Sequence, residues 1–167
     1  MSTATRPVCS ADAIQDTESH ALRGAIDVGA LHDFRVEFER LEPLASGSLD
    51  DLLSPGELRL QLEDGIGEAS TATITVRWSV QDDYNVHYSD GAGRDLRWDV
   101  HPHGYTAPAG DAHYHPPPNA SSDDDDVDAS CISVTELVLI ARAVHQLWRV
   151  GYDSGTVDPL NDATNPP

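Results

Sequence analysis

The sequence predicts an α+β fold in which an antiparallel β-meander of about four to five strands packs against a C-terminal helix and a short N-terminal helix. Three observations carry this prediction. Apolar and polar residues alternate through several short segments in the middle of the chain, and turn-forming residues separate these segments. A broad apolar stripe with helical spacing follows near the end of the chain.

The N-terminal part is the least regular. Residues 19–32 place apolar side chains at helical spacing, which predicts the short N-terminal helix. Residues 34–38 alternate between apolar and charged side chains, a pattern typical of a short strand, although a helix that runs on from Val28 would also fit. One further helical turn is expected over residues 50–53.

Four segments alternate clearly and predict the meander, namely residues 58–62, 74–80, 84–88 and 96–100. If the apolar residues share one face, Trp78 lies opposite Val86 and Val86 lies opposite Leu96. The other face of the sheet would then display a set of charged and imidazole side chains: Arg77, His87, Arg97, Asp99 and His101.

A loop rich in proline and glycine follows His101. The tripeptide His113-Tyr114-His115 precedes three prolines and should be extended, so both imidazoles could point the same way. Ser133 or Thr135 can cap the C-terminal helix, and Gly151 is expected to end it. We expect a single domain over 18–151 containing a flexible acidic linker over 119–130, with disordered tails over 1–17 and 152–167.

The composition is strongly acidic. The chain has 29 acidic and 10 basic residues, a net charge of -19, and every basic residue is arginine. Such a surface repels itself at ordinary salt, whereas multimolar salt screens charges over about 3 Å or less. The composition resembles that of haloarchaeal proteins and predicts a halophilic protein.

The sequence also predicts a cytoplasmic location. No stretch approaches the roughly 20 apolar residues that cross a bilayer, and the first ten residues lack the apolar core of a signal peptide. Cys9 and Cys131 form neither a disulfide framework nor a zinc motif, so both are expected to be free thiols.

Four of the eight histidines fall between positions 101 and 115, near Arg97 and Asp99, and three interpretations are open. The first interpretation is a divalent metal site at this His cluster, because imidazoles and carboxylates are ligands that suit zinc, nickel or iron. No fixed-spacing motif identifies its ligands. The cluster could instead perform acid–base catalysis on a phosphodiester, with Arg97 or Arg77 stabilising the phosphoryl group. In a chain without lysine, the histidines could also simply neutralise nearby carboxylates.

Three short motifs occur here in order: Arg97-Trp98-Asp99, His101-Pro102-His103 and His113-Tyr114-His115, after the strand Tyr84-Asn85-Val86-His87-Tyr88. Over residues 78–118 this pattern resembles the TumE toxin-like family, and the resemblance implies the toxin of a toxin–antitoxin pair. We take the matching positions as candidate catalytic residues: Arg97, Asp99, His103, His113 and His115. Candidate binding residues on the same face are Arg77, His87 and His101.

The leading hypothesis is an RNA-directed nuclease whose His/Arg/Asp face carries the chemistry, with a small antitoxin-like protein as partner. The alternatives are a non-catalytic metal-binding module and a protein-interaction module. No basic patch supports nucleic-acid binding, but multimolar salt would in any case remove most of the attraction of phosphates. Enzymatic activity and oligomeric state stay open at this point.

Overall fold

The structure, a computed structural model, describes residues 21–162. Its elements in chain order are helix α1 (Val28–Leu41), strands β1 (Ala45–Leu49), β2 (Leu58–Leu62), β3 (Ala72–Trp78), β4 (Tyr84–Asp90), β5 (Asp95–Val100), β6 (Ala112–His115) and β7 (Asp128–Ala129), helix α2 (Leu137–Ser154) and a 3-10 turn (Asp158–Asn161). The strands form one antiparallel sheet in chain order. The α+β class and the meander are confirmed, but the sheet has seven strands, so the expected number of four to five is too low.

The strand expected over residues 34–38 is wrong, and the alternative of a helix from Val28 is confirmed. Leu31, Phe34 and Phe38 share the buried face of α1, while Val36 is 65% exposed. This spacing is that of an apolar stripe on a helix. The helix forms in preference to the strand because it places both phenylalanines in the core. Asp27 caps the helix by accepting a hydrogen bond from the backbone N–H of Ala30 at 3.0 Å.

Residues 21–27 contain no helix, and no helical turn forms over residues 50–53. Strands β1 and β7 were not predicted, because neither segment shows a clear alternation of apolar and polar residues. Strand β1 consists mainly of small residues, and its Gly47 lies under the Arg35 side chain, where an added Cβ would stand 2.8 Å from Arg35 Cγ. Strand β7 has only two residues, which is too short to show alternation.

The predicted pairing of the central strands is wrong by two residues, although the faces are right. Val86 lies opposite Val76 and Trp98, instead of Trp78 and Leu96. Backbone hydrogen bonds from Ser79 to Asp83 and from Asp90 to Arg94 close the two hairpins, so each loop has three residues, 80–82 and 91–93. The third residue of each loop has a positive φ: Asp82 at 61° and Gly93 at 80°. A three-residue hairpin loop requires a left-handed residue at that place, and its position fixes the register.

The core lies between one face of the sheet and the two helices. It contains the three tryptophans and most apolar residues of β2 to β5, with the buried stripe of α2. Helix α2 passes through Gly151, where we had expected its end, and terminates at Gly155 with a φ of 73°. Gly151 is instead a close-packing position, because an added Cβ would lie 2.9 Å from Ile66 Cδ1.

The segment beyond residue 151 was expected to be a disordered tail. Residues 152–154 complete α2, and Leu160 of the 3-10 turn is fully buried in the core. In the segment expected as a flexible linker, Val127 is buried and β7 pairs with β6; its mobility stays a prediction. The tail expected over 1–17 and residues 163–167 lie outside the described residues.

Within residues 21–162, neither helix combines the length and apolar character needed to cross a bilayer. Cys131 is a free cysteine, as expected, and Cys9 lies outside the described residues.

Candidate functional site

The face of the sheet opposite the core, called here the polar face, carries two rows of side chains set by strand pairing. Each row crosses β3, β4, β5 and β6 in turn. The rows are Arg77, Asn85, Asp99, His113 and Thr75, His87, Arg97, His115. The predicted grouping of Arg77, His87, Arg97 and Asp99 on one face therefore holds, with Arg77 opposite Asn85 and His87 opposite Arg97.

Asp99 lies at the centre of this face and is fully buried. Its Oδ2 accepts a hydrogen bond from Nε of Arg97 at 2.7 Å. Three imidazole Nε2 atoms surround the same oxygen, at 3.4 Å for His101, 3.7 Å for His113 and 3.2 Å for His115. These four side chains and Asp99 are called the Asp99 cluster below.

The three imidazoles are held in the same way. The Nδ1 atoms of His101, His113 and His115 contact the backbone carbonyls of residues 102, 111 and 121 at 2.9, 2.9 and 2.8 Å. A carbonyl oxygen can only accept, so each Nδ1 carries a proton. The Nε2 atoms are thereby the ones that face Asp99, and all three rings are fully buried.

A loop over residues 101–111, called the covering loop, closes over these rings. The Tyr105 ring lies 5.6 Å from that of His113 and 5.9 Å from that of His115. Thr106 anchors the loop by donating two hydrogen bonds of 2.6 Å to the carboxylate of Asp124. The covering loop therefore separates the Asp99 cluster from solvent.

His103 belongs to the covering loop and not to the Asp99 cluster. Its Nε2 donates to the carbonyl of Gly110 at 2.6 Å, and its Nδ1 accepts from the N–H of Tyr105 at 3.2 Å. Its ring packs against that of His113, with centroids 4.5 Å apart. Both nitrogens of His103 are thus used to brace the loop, so of the five candidate catalytic residues it is the one that points away from Asp99.

Next to the cluster, the polar face opens into a small pocket of about 160 Å³. The pocket brings together the remaining candidate binding residues, Arg77 and His87, with Arg97. His87 Nε2 contacts Asp95 Oδ1 at 2.9 Å. Arg97 lines the pocket and also binds Asp99, so it links this arginine pocket to the buried cluster.

The electrostatics of the cluster follow from burial and contact. Burial opposes the ionisation of Asp99, but its interactions with His101, His115 and Arg97 hold its pKa far below the usual range. For His101, burial lowers the pKa, yet Asp99 and the carbonyl of Pro102 outweigh it and the net pKa is raised. Burial lowers the pKa of His113 to about 4. Asp99 is therefore an anion and His113 a neutral ring at neutral pH.

The arrangement offers two kinds of chemistry. Imidazole nitrogens next to an arginine can transfer protons to and from a phosphodiester held in the arginine pocket. The ligand atoms of Asp99, His113 and His115 also lie within 4.8 Å of one another, so these three side chains could hold a metal ion.

Two residues of the site are not among the candidates that the sequence predicts. Asn85 lies directly opposite Asp99 and is nearly buried, and Tyr105 covers His113 and His115. Asn85 could have been found from its alternation in β4. Tyr105 had no comparable signal, because its position depends on how the covering loop folds back.

Fold and site together define a small α+β protein with a buried Asp/His/Arg centre on the open face of a β-meander. The model of the family described as Toxin TumE matches residues 35–151, which includes both rows of the polar face. The chain therefore belongs to the TumE toxin family, as the motifs indicated. No curated protein and no solved structure matches the chain significantly.

Proposed function

We propose that this chain is the toxin of a toxin–antitoxin pair and that it cleaves RNA at the polar face. The single observation that carries the proposal is the convergence of three imidazole Nε2 atoms on Asp99, beside a pocket lined by arginine. Membership of the TumE toxin family supports the toxin role. The nuclease chemistry and RNA as the substrate are inferred from the side chains.

In this proposal a backbone phosphate of RNA lies in the arginine pocket between Arg77 and Arg97. The 2′-hydroxyl oxygen attacks the phosphorus, the bond to the 5′-oxygen breaks, and the products are a 2′,3′-cyclic phosphate and a 5′-hydroxyl. The proton of the 2′-hydroxyl passes to one basic group of the cluster, and another group protonates the leaving oxygen. Arg97 stabilises the charge that develops on the phosphoryl oxygens.

The burial of the histidines adds one requirement. No phosphodiester can reach His113 or His115 while the covering loop lies over them, so the loop opens when RNA binds. The contact of Thr106 with Asp124 lies at the surface, where it can break without disturbing the core.

The experiment compares wild type with a chain in which His113→Gln and His115→Gln are combined. Controlled expression of the wild type is expected to arrest growth and degrade cellular RNA, and the double variant is expected to do neither. His32→Gln changes an exposed histidine of α1 and serves as the matched control. Growth arrest and RNA loss that persist in the folded double variant would rule out the cluster as the site.

A toxin of this kind requires a neutralising partner. We therefore expect a gene next to the toxin gene to encode a small antitoxin-like protein that restores growth when the two are expressed together. Continued growth arrest with every neighbouring gene product would count against a toxin–antitoxin pair.

A further inference from the structure

We propose that Asp99, His113 and His115 bind one divalent transition-metal ion of the zinc class. The three ligand atoms, one carboxylate oxygen and two imidazole Nε2 atoms, lie within 4.8 Å of one another on adjacent strands. Two histidines and one carboxylate form a donor set that first-row divalent metals such as zinc and iron use in proteins. A metal ion at this place goes beyond the proposed nuclease function, because neither its ligands nor its charge balance depends on RNA cleavage.

The distances fit a common metal ion. Ligands about 2.0–2.1 Å from a tetrahedral zinc ion stand roughly 3.3 Å from one another. The Nε2 atoms of His115 and His113 lie 3.2 and 3.7 Å from Asp99 Oδ2. Both distances from the carboxylate are therefore within a few tenths of an ångström of that value, while the two imidazole ligand atoms, which lie within 4.8 Å of each other, would approach one another when the ion binds.

The orientation of the two imidazole rings also fits a metal ion. The Nδ1–H groups of His113 and His115 donate to backbone carbonyls, which leaves Nε2 as the atom that faces the carboxylate. Metal-binding histidines in proteins are held in this way, with the second ring nitrogen donating to a carbonyl or carboxylate.

The charges in the buried cluster also favour a metal ion. His113 Nε2 is fully buried and has no hydrogen-bond partner within residues 21–162, yet it points at a carboxylate oxygen 3.7 Å away. An imidazole lone pair and a carboxylate oxygen repel each other unless a cation lies between them. A single metal ion satisfies the carboxylate and both ring nitrogens at once.

A bound ion would also separate the roles of the metal ligands from those of the neighbouring residues. Three protein ligands are the number found in catalytic zinc sites, where water or substrate takes the fourth position. His101 and Arg97 are not in the ligand set and remain available for proton transfer and phosphate binding, next to the arginine pocket.

The test is metal uptake by the full chain purified without a histidine tag. The protein is stripped with a chelator, dialysed, and titrated with Zn²⁺ or Co²⁺ under conditions in which it is folded. We expect about one ion per chain by elemental analysis, a visible absorption band with Co²⁺, and a higher melting temperature with Zn²⁺. Combining His113→Gln with His115→Gln should weaken binding at least about tenfold, and His32→Gln should leave it unchanged.

A folded wild-type chain that takes up no ion overturns the proposal, whether or not the double variant folds. Uptake that is equal in wild type and in the folded double variant also overturns it, because the ion then lies elsewhere. Metal uptake by a chain that leaves RNA intact contradicts the nuclease and not the metal site. RNA cleavage without any uptake contradicts the metal site and not the nuclease.

Discussion

At the scale of single residues, two buried carboxylates show how this chain uses its few cationic side chains. Asp99 gathers Arg97 and the imidazoles on the polar face. Glu37 of α1 lies on the opposite side of the molecule and accepts hydrogen bonds from Arg40 at 2.7 Å and from Arg142 of α2 at 2.6 Å. The first carboxylate organises a site, whereas the second ties two helices together.

The pKa of Glu37 predicts how this tie responds to acid. Hydrogen bonds from Arg40 and Arg142 lower the pKa of Glu37 to about 2, below its value in the unfolded chain. Because the folded pKa is the lower one, the stabilisation is present above about pH 4.5 and is lost as the pH falls toward 2. Both arginines are partly exposed, so we expect Glu37→Gln to cost only about 1 kcal/mol at pH 6.

The measurement is denaturant unfolding of wild type and Glu37→Gln at pH 6 and pH 3, at one salt concentration. The difference in the free energy of unfolding should shrink at pH 3. If wild type and Glu37→Gln differ in free energy of unfolding by the same amount at both pH values, the ionised Glu37 carboxylate is not the source of the stabilisation.

The sequence alone predicted most of the residues that meet in the Asp99 cluster, but it did not include Asn85 or Tyr105, it placed His103 among the candidate catalytic residues, and it did not show how the residues meet. His113 and His115 are two apart before prolines, which favoured an extended segment with both rings on one side, and β6 has that form. The convergence on one oxygen depends on carbonyls of residues 102, 111 and 121, whose positions follow from loop conformations that no local pattern encodes.

At the scale of elements, Gly151 decides how α2 meets its neighbours. A glycine inside a helix costs about 1 kcal/mol relative to alanine. Here the helix approaches Ile66, Leu160 and the carbonyl of Thr156 so closely that a methyl group would lie 2.9 to 3.2 Å from each. The close packing explains why the helix continues through this residue.

We therefore predict that Gly151→Ala destabilises the protein by about 1–3 kcal/mol through overpacking, despite the better helix propensity of alanine. The midpoint of urea unfolding measures it. Gly104→Ala, whose added methyl group meets no atom of the described part of the chain within 4 Å, should be nearly neutral. A Gly151→Ala variant as stable as wild type would show that Ile66 and Leu160 move aside at little cost.

The register of the two hairpins could not be predicted from the apolar face of the sheet. Two strand pairings that differ by two residues both place the apolar residues on the same face of the sheet, so the face alone does not determine the register. The choice between them depends on which loop residue adopts a left-handed conformation, and at Asp82 that conformation is adopted by a residue other than glycine. A sequence pattern that looks for glycine finds Gly93 but overlooks Asp82.

At the scale of the whole molecule, the net charge of -19 is the dominant feature. Electrostatic repulsion extends over about 10 Å at 0.1 M salt and about 3 Å at 1 M. The composition predicted from the start that the fold depends on salt, and the acidic surface remains the reason to expect it.

We predict that the melting temperature rises by several degrees or more between 0.1 and 2 M KCl. Replacing exposed acids of the surface with their amides, in a chain combining Asp125→Asn, Asp128→Asn and Asp153→Asn, should reduce this rise because less repulsion remains to be screened. Scanning calorimetry over a KCl series tests this. A melting temperature that falls with KCl would contradict the halophilic interpretation.

The central claim is that the Asp99 cluster is the active centre of an RNA-cleaving toxin. Its most direct test is the rate of cleavage of a defined RNA by purified protein, at a salt concentration at which every variant is folded. Asp99→Asn is compared with Asp90→Asn, a matched change at another buried aspartate, which pairs with Arg94 at the far end of the sheet. We predict that wild type and Asp90→Asn cleave the RNA, while Asp99→Asn is slower by at least about a hundredfold. Cleavage by folded Asp99→Asn at the wild-type rate would contradict the claim.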